Sequence, residues 1–276
     1  MALIRVAAAA AHFGRDIDAC LARIEALVAD AAERGAHLVV LPDAALGGYL
    51  AGFAPSDAAD RPDAIDPDGP EVKRLVELAG SRVVCAGYCE RDGDVRFNAA
   101  VCVSGDGVLG RHRKVHQPAG EPAVYGAGDR FAAFDTPLGR MGMLIDYDKT
   151  FPEAARTLAL DGATMLAFLS AWPASLTNQA PRLVTDRQTR LFDLYDCARA
   201  AENQVVVVSS NQTGTYGRLR FLGRAKVVGP GGDILARTSA KAGLAVADID
   251  LDHDLSRARR VLHHLADRRP AAYGCG

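Results

Sequence analysis

The sequence predicts an α/β fold in which helices cover both faces of two apolar sheets. Apolar runs alternate with segments of helical periodicity, first over residues 4–41 and again over residues 141–169. With 276 residues, 49% of them hydrophobic, the chain can bury one sizeable core. A three- or four-layer sandwich, in one domain over residues 1–276, is therefore expected.

The first unit of the chain is a strand, a helix and a second strand. Residues 4–10 form a short apolar run, and apolar side chains then recur at helical spacing from Ile17 to Ala31. Gly35 is predicted to end this helix as a left-handed cap. A second buried strand follows over residues 37–41, so the unit predicts a parallel pair of strands.

The rest of the first half contains a loop, a helix and three strands. Residues 56–70 are rich in Asp, Pro and Ala, which predicts a surface loop or a short lid. The Arg-Asp-Gly-Asp sequence at 91–94 is typical of a hairpin turn. The predicted elements are a helix over 70–79 and strands over 82–88, 96–103 and 107–111.

The second half repeats this plan. Gly-Pro-Gly-Gly at 229–232 indicates a turn between two strands, and the tail from about residue 250 shows no obvious core. We expect the tail to pack on the surface or on a neighbouring subunit. A long helix over 186–201 is expected to bury Leu191, Leu194, Ala198 and Ala201. The other predicted elements are a helix over 152–161 and strands over 141–145, 164–169, 205–209, 222–228, 233–236 and 244–249.

Charge and composition restrict the partners. The net charge is -2 with no long run of like charges, which excludes nucleic acid and anionic membrane surfaces as expected partners and leaves small molecules or protein. No window approaches the roughly 20 apolar residues of a membrane span, and a secretory leader pattern is not seen, so a cytoplasmic protein is expected. The cysteines are scattered and mostly within apolar runs, which favours buried thiols. They are Cys20, Cys85, Cys89, Cys102, Cys197 and Cys275.

One stretch, residues 139–153, combines a buried strand with an abrupt polar end. The apolar run 141–145 stops in Asp-Tyr-Asp at 146–148, and a helix is predicted from about Pro152. In open α/β sheets, chemistry is placed at the carboxyl ends of strands. The stretch resembles the nucleophile elbow of the nitrilase, or carbon–nitrogen hydrolase, superfamily, which usually has Gly-x-x-(Leu/Ile)-Cys-Tyr-Asp-x-x-Phe-Pro-Glu. The family's cysteine falls on Asp146.

The resemblance extends over nearly the whole chain and implies an αββα four-layer sandwich. In that family, subunits pair through the helical layer to give an αββα–αββα dimer. A homo-oligomer, a dimer or larger, is therefore expected from the resemblance.

The resemblance also assigns Asp43. The family has Pro-Glu-x-x-x-x-Gly-Tyr after the second strand, and residues 42–49 keep this frame with Asp43 in place of the glutamate. Aspartate reaches about 1.5 Å less, which matters because proton transfer needs a donor–acceptor distance of roughly 2.6–3.2 Å. Tyr49, at the end of the frame, is assigned to the substrate site. Without the resemblance, Asp43 would be an acid at a strand end with a turn-forming or exposed role.

A basic segment supplies the expected lysine. Arg-His-Arg-Lys-Val-His at 111–116 resembles the family's Tyr-Arg-Lys-x-His, so Lys114 takes the place of the catalytic lysine and Glu121 that of the second glutamate. A lysine in a water-poor pocket stabilises negative charge developing on a carbonyl oxygen or nitrile nitrogen. A basic cluster is more often a solvated surface, which is the expectation for Arg111 and Arg113.

Asp146 changes the chemistry that the family performs. A cysteine thiolate attacks an amide or nitrile to give a thioester or thioimidate, whereas a carboxylate would give a mixed anhydride that is higher in energy than the amide. Asp146 could instead act as general base toward water, as nucleophile at saturated carbon, or as acid or base in another reaction; or the site could be inactive. An engineered replacement is less consistent with the sequence, because such replacements usually introduce Ala or Ser and Asp43 is a second departure.

Three acids around one ammonium group cannot all ionise at low cost in a shielded pocket, so at least one shared proton is expected among Asp43, Glu121 and Asp146. These acids could bind a divalent cation, but Lys114 would oppose it, and neither a metal nor another cofactor is expected.

Trp172 follows a strand in a segment that resembles a wall of the family's substrate site, with core packing as the alternative. Relatives often have Gly-x-Ser where this chain has Gly-Arg-Ala at 223–225, and Arg224 is a candidate contact for an anionic substrate, with a surface salt bridge as the alternative.

The predicted function is that of a nitrilase-superfamily enzyme acting on a small amide, carbamoyl, nitrile or related nitrogen compound without a cysteine thioester. Asp43, Lys114, Glu121 and Asp146 are the expected catalytic residues, and Tyr49, Trp172 and Arg224 the expected substrate contacts. The alternative is a catalytically silent homologue that binds a ligand or a protein partner. The intact arrangement of acid, lysine and acid around the missing thiol favours the enzyme.

Overall fold

The computed structural model describes residues 3–54, 60–118 and 120–274. Residues 56–59 of the predicted surface loop, and Cys275, lie outside these ranges. The five helices are α1 (Ile17–Glu33), α2 (Pro70–Ala79), α3 (Pro152–Leu160), α4 (Arg187–Asn203) and α5 (Leu251–Arg259). The first strands are β1 (Ile4–Ala11), β2 (Leu38–Val40), β3 (Val83–Asp92), β4 (Val95–Ser104), β5 (Gly107–Arg113), β6 (Phe134–Thr136), β7 (Gly139–Ile145) and β8 (Met165–Leu169). The others are β9 (Val206–Ser209), β10 (Asn211–Gln212), β11 (Thr215–Tyr216), β12 (Leu219–Arg220), β13 (Lys226–Val228), β14 (Ile234–Arg237) and β15 (Gly243–Ile249).

The strands form two large mixed sheets. One has the order β10-β1-β2-β3-β4-β5, with β15 also paired to β1, and the other has the order β14-β13-β9-β8-β7-β6. In the first sheet β1, β2 and β3 are parallel; in the second, β7, β8 and β9 are parallel. The carboxyl ends of these parallel strands create the edges at which polar side chains gather.

Three apolar cores separate four layers. Side chains from both sheets, such as Val40 and Ile145, meet in a central core. A second core lies between the first sheet and helices α1 and α2, and a third between the other sheet and helices α3 and α4. The predicted αββα sandwich is therefore confirmed. Among the described residues, no helix has the length and apolar content that crossing a bilayer requires.

Helix α4 buries a different face from the one predicted. Leu194 is 56% exposed, and the other three predicted core residues are only half-buried. The buried face instead carries Asp196 and Arg199, since Asp196 pairs with two buried lysines and Arg199 donates to the carbonyl oxygen of Lys149. Apolar periodicity fails here because internal ion pairs compensate for burying charged groups.

Two other expectations were wrong in part. The tail has a core contact, because Leu251 and Leu255 of α5 pack into the central core between the sheets. The strand predicted over residues 222–228 is shorter, beginning only at Lys226. Gly223 and Arg224 have left-handed backbone conformations, with φ of 63° and 58°, which do not fit a strand.

Candidate active site

The elbow after β7 presents Asp146. The backbone of Asp146 has φ of 47°, a left-handed conformation that aspartate tolerates better than most residues with a side chain. A short 3-10 turn, Asp146–Thr150, follows, and α3 then starts with Pro152 at its first position. The turn aims the carboxylate of Asp146 away from the strand and toward the chain segment that follows β5.

Asp148 ties the elbow to that segment. Its carboxylate accepts hydrogen bonds from the backbone N–H groups of Val115 and His116, at 3.2 and 2.8 Å, and from His112 Nε2 and His116 Nδ1, each at 3.0 Å. Burial opposes ionisation of Asp148, but the hydrogen bonds from both histidines outweigh it and lower the pKa to about 2. An ionised Asp148 therefore fixes the position of Lys114, which lies between His112 and Val115 in the chain, relative to Asp146.

Lys114 lies at the centre of the cluster and is fully buried. Its Nζ donates to Glu121 Oε1 at 2.7 Å and lies 3.6 Å from Asp146 Oδ2, close enough for an ion pair but too far for a direct hydrogen bond. Burial alone would lower the pKa of Lys114, yet the charges of the surrounding acids raise it above its ordinary value. Lys114 is therefore a permanent cation at neutral pH.

Glu121 is oriented by two donors on the same oxygen. Tyr49 is buried and its hydroxyl donates to Glu121 Oε1, the oxygen that also accepts from Lys114. Within the described residues, Glu121 Oε2 has no hydrogen-bond partner. Burial raises the pKa of Glu121 despite the neighbouring lysine and tyrosine. Tyr49 thus belongs to the cluster, but it does not line the cavity beside Asp146.

Asp43 follows β2 and lies against β3. The approach is so close that a Cβ on Gly87 would lie 2.7 Å from Asp43 Cα, so only glycine fits at that position of β3. Asn98 donates to Asp43 Oδ2 at 3.1 Å, and Gln212 donates to its carbonyl oxygen at 2.9 Å. Asp43 is not in ion-pairing contact with Lys114, in keeping with its short side chain.

The side chain of Asp43 is fully buried and incompletely paired. Its Oδ1 accepts no hydrogen bond from any described residue. Burial, together with the charges of Asp146 and Glu121, outweighs the attraction of Lys114 and raises the pKa of Asp43 to about 8. Asp43 therefore holds a proton at neutral pH, so one acid of the cluster is neutral, as expected from three carboxyl groups around one ammonium group.

Asp146 is the member of the cluster that meets open space. Its Oδ1 accepts from the backbone N–H of Ala171 at 3.2 Å, and about 7% of its side chain is exposed. The carboxylate lines a cavity of about 190 Å³. Trp172 lines the same cavity, as predicted for a substrate-site wall. The other lining residues are Phe53, Pro118, Tyr147, Pro173, Ala174, Ser175, Leu176 and Gln188.

Arg224 is not brought to this cluster. Its guanidinium group pairs with Asp193 and lines a separate depression of about 560 Å³, without Asp146 or Lys114. The observed contact matches the salt bridge that was the alternative expectation for Arg224. Asp43, Lys114, Glu121 and Asp146 are brought together, with Tyr49 behind Glu121 and Trp172 at the cavity wall.

Three polar residues of this region were not among the expected site residues. Asn98 and Gln212 hold Asp43, and Gln188 accepts a hydrogen bond from Trp172 Nε1 at 3.0 Å. A lone asparagine inside the apolar strand Val95–Ser104 was a usable signal for Asn98, because an unpaired amide is costly in a core. No local pattern singles out Gln188, since it lies in the polar first turn of a helix.

The family model, the similar sequences and the similar solved structure all indicate the same family. The family model described as "Carbon-nitrogen hydrolase" matches residues 5–257. A nitrilase from Pyrococcus abyssi is 33% identical over 234 residues, covering 83% of this chain and 82% of that protein. An N-carbamoylputrescine amidase from Arabidopsis thaliana is 29% identical over 275 residues, covering 94% of this chain and 90% of that protein. The crystal structure of a carbon-nitrogen hydrolase from Helicobacter pylori superposes with a TM-score of 0.85 at 26% identity, covering 98% of this chain and 97% of that one.

Proposed function

Because the chain belongs to the carbon–nitrogen hydrolase family, we propose that it hydrolyses a small amide, carbamoyl compound or nitrile at a non-standard site in which Asp146 stands at the family's cysteine position. The observation that carries this proposal is the carboxylate of Asp146 at the cavity wall, 3.6 Å from the ammonium group of Lys114. A carboxylate beside a fixed cation and open to a cavity is positioned to act on a bound water or substrate.

With Asp146 at the family's cysteine position, the proposed reaction proceeds by direct attack of water and not through a covalent intermediate. If Asp146 attacked an amide, the product would be a mixed anhydride, which reverts readily because it is higher in energy than the amide. In the proposed reaction, Asp146 takes a proton from water while the water oxygen bonds to the carbonyl carbon. Lys114 stabilises the negative charge that develops on the carbonyl oxygen.

Asp43 supplies the second proton transfer. Its pKa, raised to about 8 by burial, leaves it protonated at neutral pH, so in the proposed reaction this proton passes to the leaving nitrogen, although Asp43 lies behind the cavity wall and does not line it. In an amide, the carbon–nitrogen bond then breaks to release an amine and a carboxylic acid; a nitrile first takes up one water, with its nitrogen protonated, to give an amide. The proton held by Asp146 returns to Asp43, which restores the site for the next substrate.

Turnover by matched variants tests the role of Asp146. We expect Asp146→Asn, which keeps the shape but cannot accept a proton, to lower kcat by about 100- to 10,000-fold on a panel of amides, nitriles and carbamoyl compounds. Equal rates in both proteins would remove Asp146 from the mechanism. If the wild-type protein turned over none of the panel, the alternative of a silent ligand-binding homologue would replace the enzyme.

Isotope labelling distinguishes direct from covalent hydrolysis. After many turnovers in ¹⁸O-water, mass spectrometry should find the label in the product acid and not in the peptide that contains Asp146. Label in that peptide would mean that its carboxylate had formed an ester or anhydride. As a control for an intact pocket, Asp146→Cys should form an acyl adduct on the new thiol, detected by intact-protein mass spectrometry.

Two further expectations concern the whole protein. A cytoplasmic location and association into a dimer or larger homo-oligomer remain predictions. Size-exclusion chromatography with light scattering measures the second directly.

A further inference from the structure

The wall of the cavity beside Asp146 is largely apolar. Aromatic, proline and leucine side chains form most of it, and Asp146 is the one carboxyl group and no basic side chain is present among the lining residues in the described part of the chain. Ser175 does not provide a free hydroxyl, because its Oγ donates to Asp186 at 2.8 Å. The amide NH2 of Gln188 remains as a neutral donor, since only the oxygen of that amide is used, by Trp172.

Trp172 makes this wall rigid. Its ring packs edge-on against Phe192, with centroids 5.9 Å apart, and its Nε1 is held by Gln188. The ammonium group of Lys149 lies 5.1 Å from the indole ring. These contacts fix an indole that is only 8% exposed, so the cavity presents a preformed apolar surface to its occupant.

The space suits one compact apolar group. The cavity measures about 190 Å³, and an apolar cavity of about 150 Å³ is known to hold one benzene molecule. A six-membered ring or a short alkyl chain therefore fills it when the reacting amide or nitrile group lies beside Asp146 and Lys114.

We propose, on the basis of the hydrolysis proposed above, that the substrate is an uncharged amide or nitrile with a compact apolar tail, and that this wall excludes ionic tails. When the reacting carbon lies beside Asp146, the tail points away from that carboxylate and meets Trp172 and Leu176. An ammonium or carboxylate group there would lose water without gaining a partner of opposite charge. An apolar tail gains free energy from the same burial.

Trp172 allows binding to be measured without turnover. It is the only tryptophan in the chain, so intrinsic fluorescence reports on the cavity wall. Hexanamide, its ω-amino derivative and its ω-carboxylate derivative share a six-carbon chain and differ in the group at its far end, which is a neutral methyl, an ammonium or a carboxylate. In stopped-flow mixing, the change in the first milliseconds measures binding before hydrolysis. We expect hexanamide to bind at least tenfold more tightly than either ionic derivative.

A charge introduced into the wall should reverse this preference. Leu176 is 55% exposed, so Leu176→Asp places a carboxylate at the wall without disturbing the core, and Leu176→Asn is the neutral control of the same size. Relative to Leu176→Asn, the Asp variant should bind the ω-amino derivative at least tenfold more tightly. Its affinity for hexanamide should change much less.

Several results would overturn the proposal. Arg218 lines a neighbouring depression that shares Phe53 and Leu176 with this wall, and tighter binding of the carboxylate derivative than of hexanamide would place an anionic tail there. Equal affinities for all three amides, the same ranking in both Leu176 variants, or no fluorescence change with any ligand at millimolar concentration would also contradict it. Selective binding of hexanamide without turnover would instead contradict the hydrolysis and leave the selectivity intact.

Discussion

Two buried ion clusters adjoin the elbow after β7, and their charge balance is opposite. The cluster around Lys114 has three carboxyl groups and one ammonium group, whereas Asp196 is one fully buried carboxylate between the ammonium groups of Lys149 and Lys226, with the part-exposed Asp193 3.3 Å from Lys226 Nζ. Both oxygens of Asp196 are bonded, at 2.7 Å to Lys149 and 2.5 Å to Lys226. The ring of Phe192 lies between the two lysines, 3.4 and 3.7 Å from their nitrogens.

The clusters also differ in what they leave unsatisfied. Asp43 Oδ1 and Glu121 Oε2 have no hydrogen-bond partner in the described part of the chain, whereas the Asp196 cluster has no such oxygen. Buried carboxylate oxygens are normally paired, and a catalytic role is one physical reason for an unpaired one. The comparison indicates that the Asp196 cluster stabilises the fold and that the Lys114 cluster keeps capacity for a substrate or a proton.

Both clusters contain one group that titrates near the same pH. Burial raises the pKa of Asp43 to about 8 and lowers that of Lys149 to about 8, because in each case it disfavours the charged form. Above this pH, the Lys114 cluster becomes more negative and the Asp196 cluster less positive. Three substitutions test whether the clusters differ in role as this comparison implies.

The largest effect is expected from removing the shared carboxylate of the Asp196 cluster. Asp196→Asn leaves the buried ammonium group of Lys149 without an anion and that of Lys226 with only the part-exposed Asp193, which should lower the free energy of unfolding by about 3–5 kcal/mol. Urea denaturation at neutral pH measures the change. Asp135→Asn is the matched control, because that side chain is 85% exposed and its loss should leave the curve unchanged. Equal stability of Asp196→Asn and wild type would show that the cluster is not structural.

A smaller effect, with a defined pH dependence, is expected at Asp43. Its folded-state pKa of about 8 lies above the ordinary value of 3.8, so between these pH values the folded state binds more protons than the unfolded state. The stabilisation by this protonated group is complete at low pH and is lost as pH rises toward 8, at up to about 1.4 kcal/mol per pH unit. Asp43→Asn mimics the neutral form and removes this loss. In urea unfolding, the free energy of unfolding of the variant relative to wild type should rise by at least about 1 kcal/mol between pH 5.5 and pH 8.

The same variant separates stability from activity. The amide that Asp43→Asn introduces has no acidic proton to give to a leaving nitrogen, so the variant should lower kcat at neutral pH by about 10- to 100-fold even where it is the more stable protein. Parallel pH–stability curves for the two proteins would indicate that Asp43 ionises normally. A variant with full activity would remove Asp43 from the proton transfer.

The two clusters also differ in how far sequence could predict them. Asp43, Lys114, Glu121 and Asp146 each lie at a strand end or in a recognisable motif, and the fold brings them together as expected. Lys149, Asp196 and Lys226 come from three unrelated places in the chain, and no local pattern predicts their contact. Predicting that Asp196 faces inward requires knowing that two lysines meet it, which depends on how α4 lies on the second sheet.

Contacts between residues that are distant in the sequence also limit how much of the fold could be predicted. Strand and helix positions followed from apolar runs, glycine and proline, and most agree with the structure to within a few residues. The inward face of α4 did not follow, since most of its buried residues are polar and its buried charges are compensated by distant partners. Short-range patterns therefore predict elements well, while pairings between distant charged groups appear only in three dimensions.

The smallest effect is expected from removing one cation of the Asp196 cluster. Lys149→Met leaves Asp196 paired with the ammonium group of Lys226, so no buried charge is without a partner and stability at neutral pH should change by about 1 kcal/mol or less. Burial lowers the pKa of Lys149 to about 8, below its ordinary value of 10.5. Between these two pH values the unfolded state binds more protons than the folded state, so the stability of the wild-type protein rises with pH there. Urea unfolding at pH 7.5 and 10 should show this rise in wild type and a smaller one in the variant.

The variant also assigns any loss of activity above pH 8. Asp43 and Lys149 titrate in the same range, but only Asp43 belongs to the cluster with unpaired oxygens. If Asp43 is the proton donor, the decline in kcat/KM above pH 8 should persist in Lys149→Met, and kcat at neutral pH should fall less than tenfold. If the decline vanished with Lys149, its charge would control the activity, and the division between a structural and a catalytic cluster would no longer hold.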